Sequence, residues 1–317
     1  MKYDIIALGE LLIDFTCTGT DEAGYPMMAA HPGGAPANFL AAAAKAGGRT
    51  ALLGKVGDDV FGHLLAHTLE QAGIDTAGLL SDPACFTTLA FVTLDEQGDR
   101  TFSFARKPGA DTQLRFEELS LSMLDQAKLF HFGSLSLTDQ PVREATVRAV
   151  GYARERGKLI SYDPNWRPPL WHSEDEARLQ LLWGLRQTDI VKISDDEVRF
   201  LFGCGPEEGA ERILYEYGAQ LVFVTCGADG CWFQNRLARG HEDSLAELAV
   251  VDTTGAGDIF GGSAVMQLLL TGRQPGQLDE AALRAVVRYA TAAAGLSTTR
   301  PGGISSVPSR EEVLARL

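Results

Sequence analysis

The chain has 317 residues, of which 45% are hydrophobic and 22% are charged, values typical of one large globular domain or two modest ones with a sizeable core. This composition excludes extensive disorder. No apolar run approaches the ~18 residues of a membrane-spanning helix, so a membrane anchor is excluded as well. With 28 Lys and Arg against 42 Asp and Glu, the formal net charge is −14, which argues against a general nucleic-acid binder.

Short apolar runs alternate with longer segments of helical pattern along the chain. The runs are apolar on both faces, which is typical of buried parallel strands. They cover residues 3–9, 128–133, 158–163, 189–193 and 220–225. Apolar residues at helical spacing, bounded by Pro, Gly or Asp, predict the intervening helices. These cover residues 36–47, 59–72, 139–156, 174–186 and 206–217. The alternation predicts right-handed βαβ units and an α/β fold with a doubly wound, mostly parallel sheet between helices.

Two stretches depart from this alternation. Residues 86–106 contain two alternating runs around Glu96-Gln97-Gly98-Asp99, which predicts an antiparallel hairpin. Residues 11–30 follow the first strand before any helix begins, and the two stretches together predict a small second sheet. Such a sheet would serve as a lid over the site at the strand ends, as a dimer surface, or as both. We therefore expect one domain over residues 1–317 with a small β lid formed by about 11–30 and 86–106.

The cysteines and the first residues bear on the compartment. Five cysteines are an odd number without a CxxC pair, which favours reduced thiols over a disulfide framework or a zinc site. The segment that begins at Met1 runs directly into an apolar strand pattern and shows no secretory signal. We expect a cytoplasmic protein that does not associate with membranes.

The most informative segment is Asp252-Thr253-Thr254-Gly255-Ala256-Gly257-Asp258, followed by an apolar helical pattern. The glycines allow a ligand to approach the backbone, and the start of the following helix offers N–H groups and a positive dipole end to an anion. Asp258 stands where a carboxylate could accept a proton from a hydroxyl held beside a bound phosphate. A lone GxGD is more often a glycine turn with an N-capping aspartate. The preceding Asp-Thr-Thr and a second pair, Gly261-Gly262, favour the binding interpretation here.

Residues 33–62 supply a second candidate site. Gly33-Gly34, then Pro36 as a helix opener and Asn38 one turn later, would gather N–H groups and a side-chain amide suited to the hydroxyls of a polyol. The Ala-rich helix that follows is better explained as core. Neither a P-loop nor a GxGxxG fingerprint is present, which disfavours a P-loop NTPase and a dinucleotide oxidoreductase.

Three shorter segments follow predicted strands, where open α/β sheets bind ligands. The segment from Asp163 to Arg167 offers a cation to a ligand, or equally a proline turn with a solvated arginine. The segment from Thr225 to Gly230 fits a loop lying flat against a nucleotide, or equally a hairpin turn. The segment from Ser194 to Glu197 predicts a capped helix start most simply, and otherwise a carboxylate that orders the waters of Mg²⁺.

These motifs together resemble the ribokinase-like (PfkB) carbohydrate kinases. The segments 33–38 and 54–62 resemble the amino-terminal signature of that family, and 252–262 resembles its carboxy-terminal signature. Two signatures in the right order, ~200 residues apart, make coincidence a poor explanation. The segments 161–171 and 104–111 are similar to the fructokinase branch of the family.

The resemblance implies a role for individual residues. The base for the sugar hydroxyl would be Asp258, and the anion hole for the phosphoryl group would be Gly255, Ala256 and Gly257. The sugar would be held by Asp14, Gly33, Gly34 and Asn38, flanked by Arg106 and Arg167. ATP, with Mg²⁺, would be bound by Lys192, Glu197, Thr225, Gly227 and Gly230. A monovalent cation, expected to be K⁺, would lie among Asp252, Thr254, Ser297, Arg300, Gly302 and Ser306.

The function that the resemblance implies is ATP-dependent phosphorylation of a sugar, in the first place of D-fructose at position 6, by a homodimer formed through the lid. The family usually has Asn in place of Ser194 and often near Ala290, so these positions concern nucleotide preference. A 2-keto-3-deoxygluconate kinase shares the 163–171 pattern and is the runner-up, although Phe102 and Phe104 favour a neutral sugar. Ribokinase or nucleoside kinase activity is less favoured, and a sugar-sensing protein that has lost catalysis stays open as well.

Overall fold

The computed structural model describes residues 1–94 and 100–317, so the predicted hairpin turn at 96–99 lies outside the described residues. The strands of the described chain are β1 (Tyr3–Leu8), β2 (Leu12–Thr20), β3 (Pro26–Gly33), β4 (Thr50–Gly57), β5 (Ile74–Asp75), β6 (Leu79–Asp82), β7 (Leu89–Leu94), β8 (Arg100–Ala105), β9 (Ala127–Gly133), β10 (Leu159–Asp163), β11 (Ile190–Ser194), β12 (Leu221–Thr225), β13 (Cys231–Asn235) and β14 (Arg239–Glu242). The α-helices are α1 (Ala35–Lys45), α2 (Val60–Gln71), α3 (Leu121–Asp125), α4 (Val142–Glu155), α5 (Glu174–Arg186), α6 (Asp195–Phe202), α7 (Pro206–Glu216), α8 (Ala256–Thr271), α9 (Glu280–Ser297) and α10 (Arg310–Leu314).

The main sheet has ten strands in the described part of the chain, in the order β14-β13-β12-β11-β10-β9-β1-β4-β5, with β6 paired to β4. Its pairings are parallel from β12 through β5, as predicted, whereas β13 and β14 are added antiparallel at one edge. The strands predicted from apolar runs are β1, β9, β10, β11 and β12, each confirmed to within two residues. The sequence pattern missed the other five strands of this sheet, which are β4, β5, β6, β13 and β14.

Helices cover both faces of the main sheet, which is why its strands are apolar on both sides. In β1, Ile5 and Ala7 belong to the core cluster that also contains buried residues of α1, α2, α8 and α9. The neighbouring Ile6 and Leu8 belong to a second cluster on the opposite face, with residues of α4, α5, α6 and α7. The predicted doubly wound α/β fold is confirmed.

A second, four-stranded sheet has the order β3-β2-β7-β8 and is called the small sheet below. Strands β2 and β3 pair antiparallel, β2 and β7 pair parallel, and β7 and β8 pair antiparallel from Leu89↔Ala105 to Leu94↔Arg100. The two stretches that departed from the βα alternation therefore do form one sheet. Its role as a lid stays a prediction. No helix in the described ranges is both long and apolar enough to cross a membrane.

Candidate active site

The loop before α8 has the geometry of an anion site. Gly255 is the N-cap of α8 with φ 76° and ψ −3°, a left-handed conformation that glycine adopts without strain. A Cβ at Gly257 would lie 2.8 Å from Nζ of Lys192, so the ammonium of Lys192 is packed directly against the first turn of the helix. The amide of Ala256 donates to the carbonyl of Thr253 at 3.3 Å. The next amides of the first turn have no partner within the helix, so the start of α8 attracts anions.

Asp258 lies in the first turn of α8, three residues after the N-cap Gly255, and is 8% exposed. The alternative interpretation of this aspartate as the N-cap is therefore wrong, because Gly255 holds that position. Its Oδ2 accepts a hydrogen bond of 2.9 Å from Nδ2 of Asn38 on α1. Burial raises the pKa of the Asp258 carboxyl, while Lys192 and the Asn38 amide act in the opposite direction. A carboxylate with a raised pKa is suited to accept a proton.

Two cavities flank this helix start. One, of about 430 Å³, is called the carboxylate cavity because Glu10, Asp14 and Asp258 line it together with Asn38 and Arg167. The other, of about 510 Å³, is called the apolar cavity because most of its lining side chains are aliphatic or aromatic. Gly255 and Asp258 form part of the first wall, and Ala256 and Gly257 form part of the second. The start of α8 therefore separates the two cavities.

The carboxylate cavity brings together the half-buried Asp14 and the buried Glu10 and Asp258. Burial raises the pKa of Asp14 to about 6, and Arg167 opposes that shift. Burial also raises the pKa of Glu10 to about 7, although Glu10 Oε1 accepts the amide of Ala35 at 3.0 Å. Glu10 was not among the residues predicted from the sequence. Its position just after β1, at the carboxyl end of a parallel strand, is the signal that could have found it.

Two predicted sugar contacts lie behind the wall of this cavity. Arg106 is 5% exposed, and its guanidinium donates to Asp111, to Thr138 and to the carbonyl of Leu135. Gly33 ends β3, and a Cβ there would lie 2.3 Å from Oδ2 of Asp14. These two residues support the wall, whereas Asp14, Gly34, Asn38 and Arg167 lie on it.

A buried ion pair lies under the anion loop. Lys192 Nζ is 3.0 Å from Oδ2 of Asp163, and both side chains are almost fully buried. Burial lowers the pKa of Lys192, but Asp163, Glu197 and Asp258 raise it more, so the ammonium stays charged. Glu197 accepts the amides of Trp166 and Ser194 at 2.6 and 2.8 Å. The simpler interpretation of the segment from Ser194 to Glu197, a capped helix start, is confirmed by a capping box on α6.

The apolar cavity brings together the other predicted nucleotide residues. Thr225, Gly227 and Gly230 line it, in the turn that joins β12 to the antiparallel β13. The hairpin interpretation of that turn is therefore confirmed, and its contact with a nucleotide stays a prediction. A Cβ at Gly230 would lie 2.1 Å from the carbonyl oxygen of Glu242, so this position needs glycine. Thr291 of α9 also lines the cavity, and among the described residues its buried Oγ1 has no hydrogen-bond partner.

Hydrogen bonds hold three residues of the predicted cation set next to one another. Asp252 Oδ1 accepts the amide and the hydroxyl of Thr254 at 2.9 and 2.7 Å, and Oδ2 accepts the amide of Gly302 at 2.9 Å. The hydroxyls of Ser297 and Ser306 donate to nearby carbonyls, and Arg300 pairs with a glutamate of α10. Among the residues that the structure describes, no group of three or more His, Cys, Asp or Glu is placed to hold a metal ion.

Residues 2–310 match the model of the pfkB family of carbohydrate kinases. The chain belongs to this family. Among its PfkB relatives, a probable fructokinase-4 of Arabidopsis thaliana is 42% identical over 316 residues, covering 99% of this chain and 96% of the relative. The crystal structure of a fructokinase with bound ATP from Xylella fastidiosa has a TM-score of 0.91 at 32% identity and covers 99% of this chain and 98% of that one. A double-mutant fructokinase of Vibrio cholerae O395, solved with fructose, ADP and potassium ion, has a TM-score of 0.88 at 30% identity over 100% of this chain and 99% of that one. Membership of the PfkB family sets aside the dinucleotide oxidoreductase.

Proposed function

We propose that this chain is an ATP-dependent fructokinase that transfers the γ-phosphoryl group of ATP to the 6-hydroxyl of D-fructose. The observation that carries the proposal is the start of α8, which forms part of the wall of both cavities and places Asp258 in the wall of the carboxylate cavity. A kinase needs this arrangement because its two substrates must approach one point from opposite sides. The full-length similarity to enzymes named fructokinase supports fructose as the acceptor.

In the proposed reaction the nucleoside of ATP occupies the apolar cavity, and its phosphates reach the first turn of α8. Fructose occupies the carboxylate cavity, with one hydroxyl next to Asp258. Asp258 takes the hydroxyl proton as the oxygen attacks the γ-phosphorus, and the bond from that phosphorus to the ADP oxygen breaks. Backbone amides of the first turn and the ammonium of Lys192 below Gly257 oppose the negative charge on the transferred group.

Sugar binding in this proposal relies on hydrogen bonds to groups whose positions are fixed by burial. Asp14 and Asn38 face the hydroxyls, and Arg167 lies on the same wall. With Glu10 and Asp258, three carboxyl groups and one guanidinium line this cavity. A sugar acid would bring a further negative charge into that set, and unpaired like charges are costly in a buried site. The wall therefore favours fructose over 2-keto-3-deoxygluconate.

We assign the ions by the chemistry of the groups present. Mg²⁺ usually binds through nucleotide phosphates and one or two carboxylates, so we infer that it is delivered on ATP. When bound, it would neutralise phosphate charge, and Glu197 and Asp163 are the carboxylates below the loop that could order its waters. A monovalent cation would use oxygens near Asp252, Thr254 and Gly302, which hydrogen bonds hold next to one another.

The proposal also includes a dimer formed through the small sheet. Tyr25 and Met27 are 70% and 48% exposed, at the end of this sheet where β2 and β3 are joined. Large apolar side chains exposed close together are typical of contact surfaces.

The cytoplasmic location stays a prediction.

The decisive experiment measures ADP release with fructose, ribose, 2-keto-3-deoxygluconate or adenosine as acceptor, and identifies the product by ³¹P NMR. We expect the highest kcat/KM with fructose and a single product phosphorylated at position 6. Preference for another acceptor would reject fructose as the substrate but not the kinase assignment. Measurable fructose binding without ADP release from any acceptor would instead favour a sugar-sensing protein.

A further inference from the structure

Strands β7 and β8 of the small sheet both join the rest of the chain next to one buried carboxylate, that of Asp111. Thr88 immediately precedes β7 and Arg106 immediately follows β8, so the two residues are neighbours at the base of the hairpin. Thr88 Oγ1 donates to Oδ1 of Asp111 at 2.5 Å, and Arg106 Nε donates to Oδ2 at 2.8 Å. All three residues are 5% exposed or less. Asp111 thus holds the entry and the exit of the hairpin with its two oxygens.

The surroundings of this carboxylate leave little room for another arrangement. The remaining nitrogens of Arg106 donate to Oγ1 of Thr138 at 2.7 Å and to the carbonyl of Leu135 at 2.9 Å, both in the main domain. A Cβ at Gly109 would lie 1.9 Å from Thr88 Oγ1 and 2.8 Å from Asp111 Oδ1. A buried guanidinium paired with a carboxylate and saturated by hydrogen bonds is held strongly in place.

The same contacts reach the carboxylate cavity. Phe104, two residues before Arg106, and Leu135, whose carbonyl receives the guanidinium, both line that cavity. The carbonyl of Thr88 accepts the amide of Ile13 at 3.1 Å, next to Asp14. Movement at the base of the hairpin would therefore displace the part of the cavity wall that comes from the small sheet.

We propose that Asp111 is a positioning residue that fixes the small sheet against the sugar cavity, so that the acceptor is held and water is kept from the phosphoryl group. The proposal rests on the proposed function and replaces direct sugar contact as the role of Arg106. When Asp111 is lost, water reaches the γ-phosphorus in place of the sugar hydroxyl. The bond from that phosphorus to the ADP oxygen breaks, giving ADP and inorganic phosphate, with a proton released to solvent.

The kinetic test compares Thr88→Val and Asp111→Asn with the parent chain. The valine retains the shape of threonine but removes its hydrogen bond, and the asparagine removes the charge opposite Arg106. We expect the KM for fructose to rise about tenfold in Asp111→Asn and severalfold in Thr88→Val. In both variants the inorganic phosphate released per sugar phosphate formed should rise, with the KM for ATP within twofold of the parent. The matched control is Asp139→Asn, since Asp139 is 3.4 Å from Arg106 but 37% exposed, and it should behave as the parent.

A second measurement does not depend on activity. Amide hydrogen exchange should accelerate in β7 and β8 of both variants and remain at the parent rate in β9 of the main sheet. If the parent phosphorylates no sugar, the proposed function fails, while the exchange arm still tests the contact. Parent-like exchange in the small sheet together with a parent-like fructose KM in folded Thr88→Val and Asp111→Asn would overturn the proposal. A lower kcat with unchanged KM and coupling would also overturn it, because that pattern indicates a loss of folded enzyme only.

Discussion

The two cavities share the start of α8, but one is lined by carboxyl groups and the other mainly by glycines and apolar side chains. In the carboxylate cavity, Glu10, Asp14 and Asp258 are held in surroundings that raise the pKa of each carboxyl. The apolar cavity is lined by glycines of the β12–β13 turn and by apolar side chains that include Phe260 and Leu245. The carboxylate cavity can form a separate hydrogen bond to each hydroxyl group of a ligand, whereas the apolar cavity can bind a flat base mainly through contact area.

The two cavities should therefore differ in how strongly a single substitution alters activity. Buried carboxyls depend on individual hydrogen bonds and charges, so a change of one atom in the carboxylate cavity should alter turnover or pH response strongly. Contact area is spread over many side chains, so a change of one atom in the apolar cavity should have a small effect. The predictions below test this contrast at single positions.

The largest effect is expected from Asp258→Asn. The amide keeps the shape of the side chain but cannot take the proton, so kcat should fall by a factor on the order of 10² to 10⁴ with fructose binding nearly unchanged. Steady-state kinetics and sugar titration measure the two quantities. Asp196→Asn, the same change at an 81% exposed carboxylate in the first turn of α6, is the control. Parent-like turnover in Asp258→Asn would remove Asp258 from the role of base.

A smaller effect is expected when the partner of that base is removed. Asn38 donates to Asp258 at 2.9 Å and lowers the pKa of its carboxyl, so Asn38→Ala should raise that pKa further. Since the base acts only when ionised, the acid limb of kcat/KM should move to higher pH. Loss of the Asn38 amide, which in the proposal also faces the sugar, should lower kcat/KM about tenfold. Glu10 and Asp14 titrate nearby, so the readout is the displacement of the midpoint from that of the parent. Gln71→Ala, an exposed amide on α2, is the control, and an unmoved midpoint in Asn38→Ala would contradict the prediction.

The main sheet was more predictable from sequence than the rest of the fold. Buried parallel strands such as β9 are apolar at successive positions, and helix ends are marked by residues such as Ser173, whose side chain caps α5. Strand β4 was missed because it contains Lys55, which is 6% exposed and bound to Glu118. A buried lysine in a strand depends on a partner 63 residues away, and local pattern carries no sign of it.

The residues of the candidate site also differ in how far the sequence predicts their positions. Gly255 and Asp258 were predictable because a glycine turn before a helix produces an anion site through local geometry alone. Arg106 was predicted as a sugar contact, but the direction of its guanidinium depends on Thr138, distant in sequence, as well as on Asp111. Glu10 has no surrounding motif, and its position just after β1 is the one local sign that its carboxyl lines the cavity. Local chemistry was predictable, and contacts made across the chain were not.

The contrast also predicts a stability effect in the carboxylate cavity. Asp14 has a pKa of about 6 in the folded chain against 3.8 ordinarily, so the folded state binds its proton more tightly than the unfolded state. The parent therefore loses stability as pH rises from about 4 to 6, and Asn at this position avoids that loss. Asp14→Asn should exceed the parent in free energy of unfolding by about 2 kcal/mol at pH 8, with no such gain at pH 4. Denaturant melts at both pH values measure this, with the 96% exposed Asp243→Asn as control. An equal difference in free energy of unfolding at both pH values would contradict the assignment of the stability loss to ionisation of Asp14.

The smallest effect is expected in the apolar cavity. Thr291 Oγ1 is buried without a hydrogen-bond partner among the described residues, so a nucleotide that hydrogen-bonds it there would relieve the cost of burying it. Thr291→Val keeps the shape of the wall, and it should raise the KM for ATP about fivefold, near 1 kcal/mol, with the KM for fructose unchanged. Thr298→Val is the matched control in the same cavity, because the Thr298 hydroxyl already donates to the carbonyl of Gly295 at 2.8 Å. Equal effects of the two valines on the KM for ATP would mean that the nucleotide does not bond Thr291. A change larger than that of Asn38→Ala would mean that the apolar cavity also depends on single atoms.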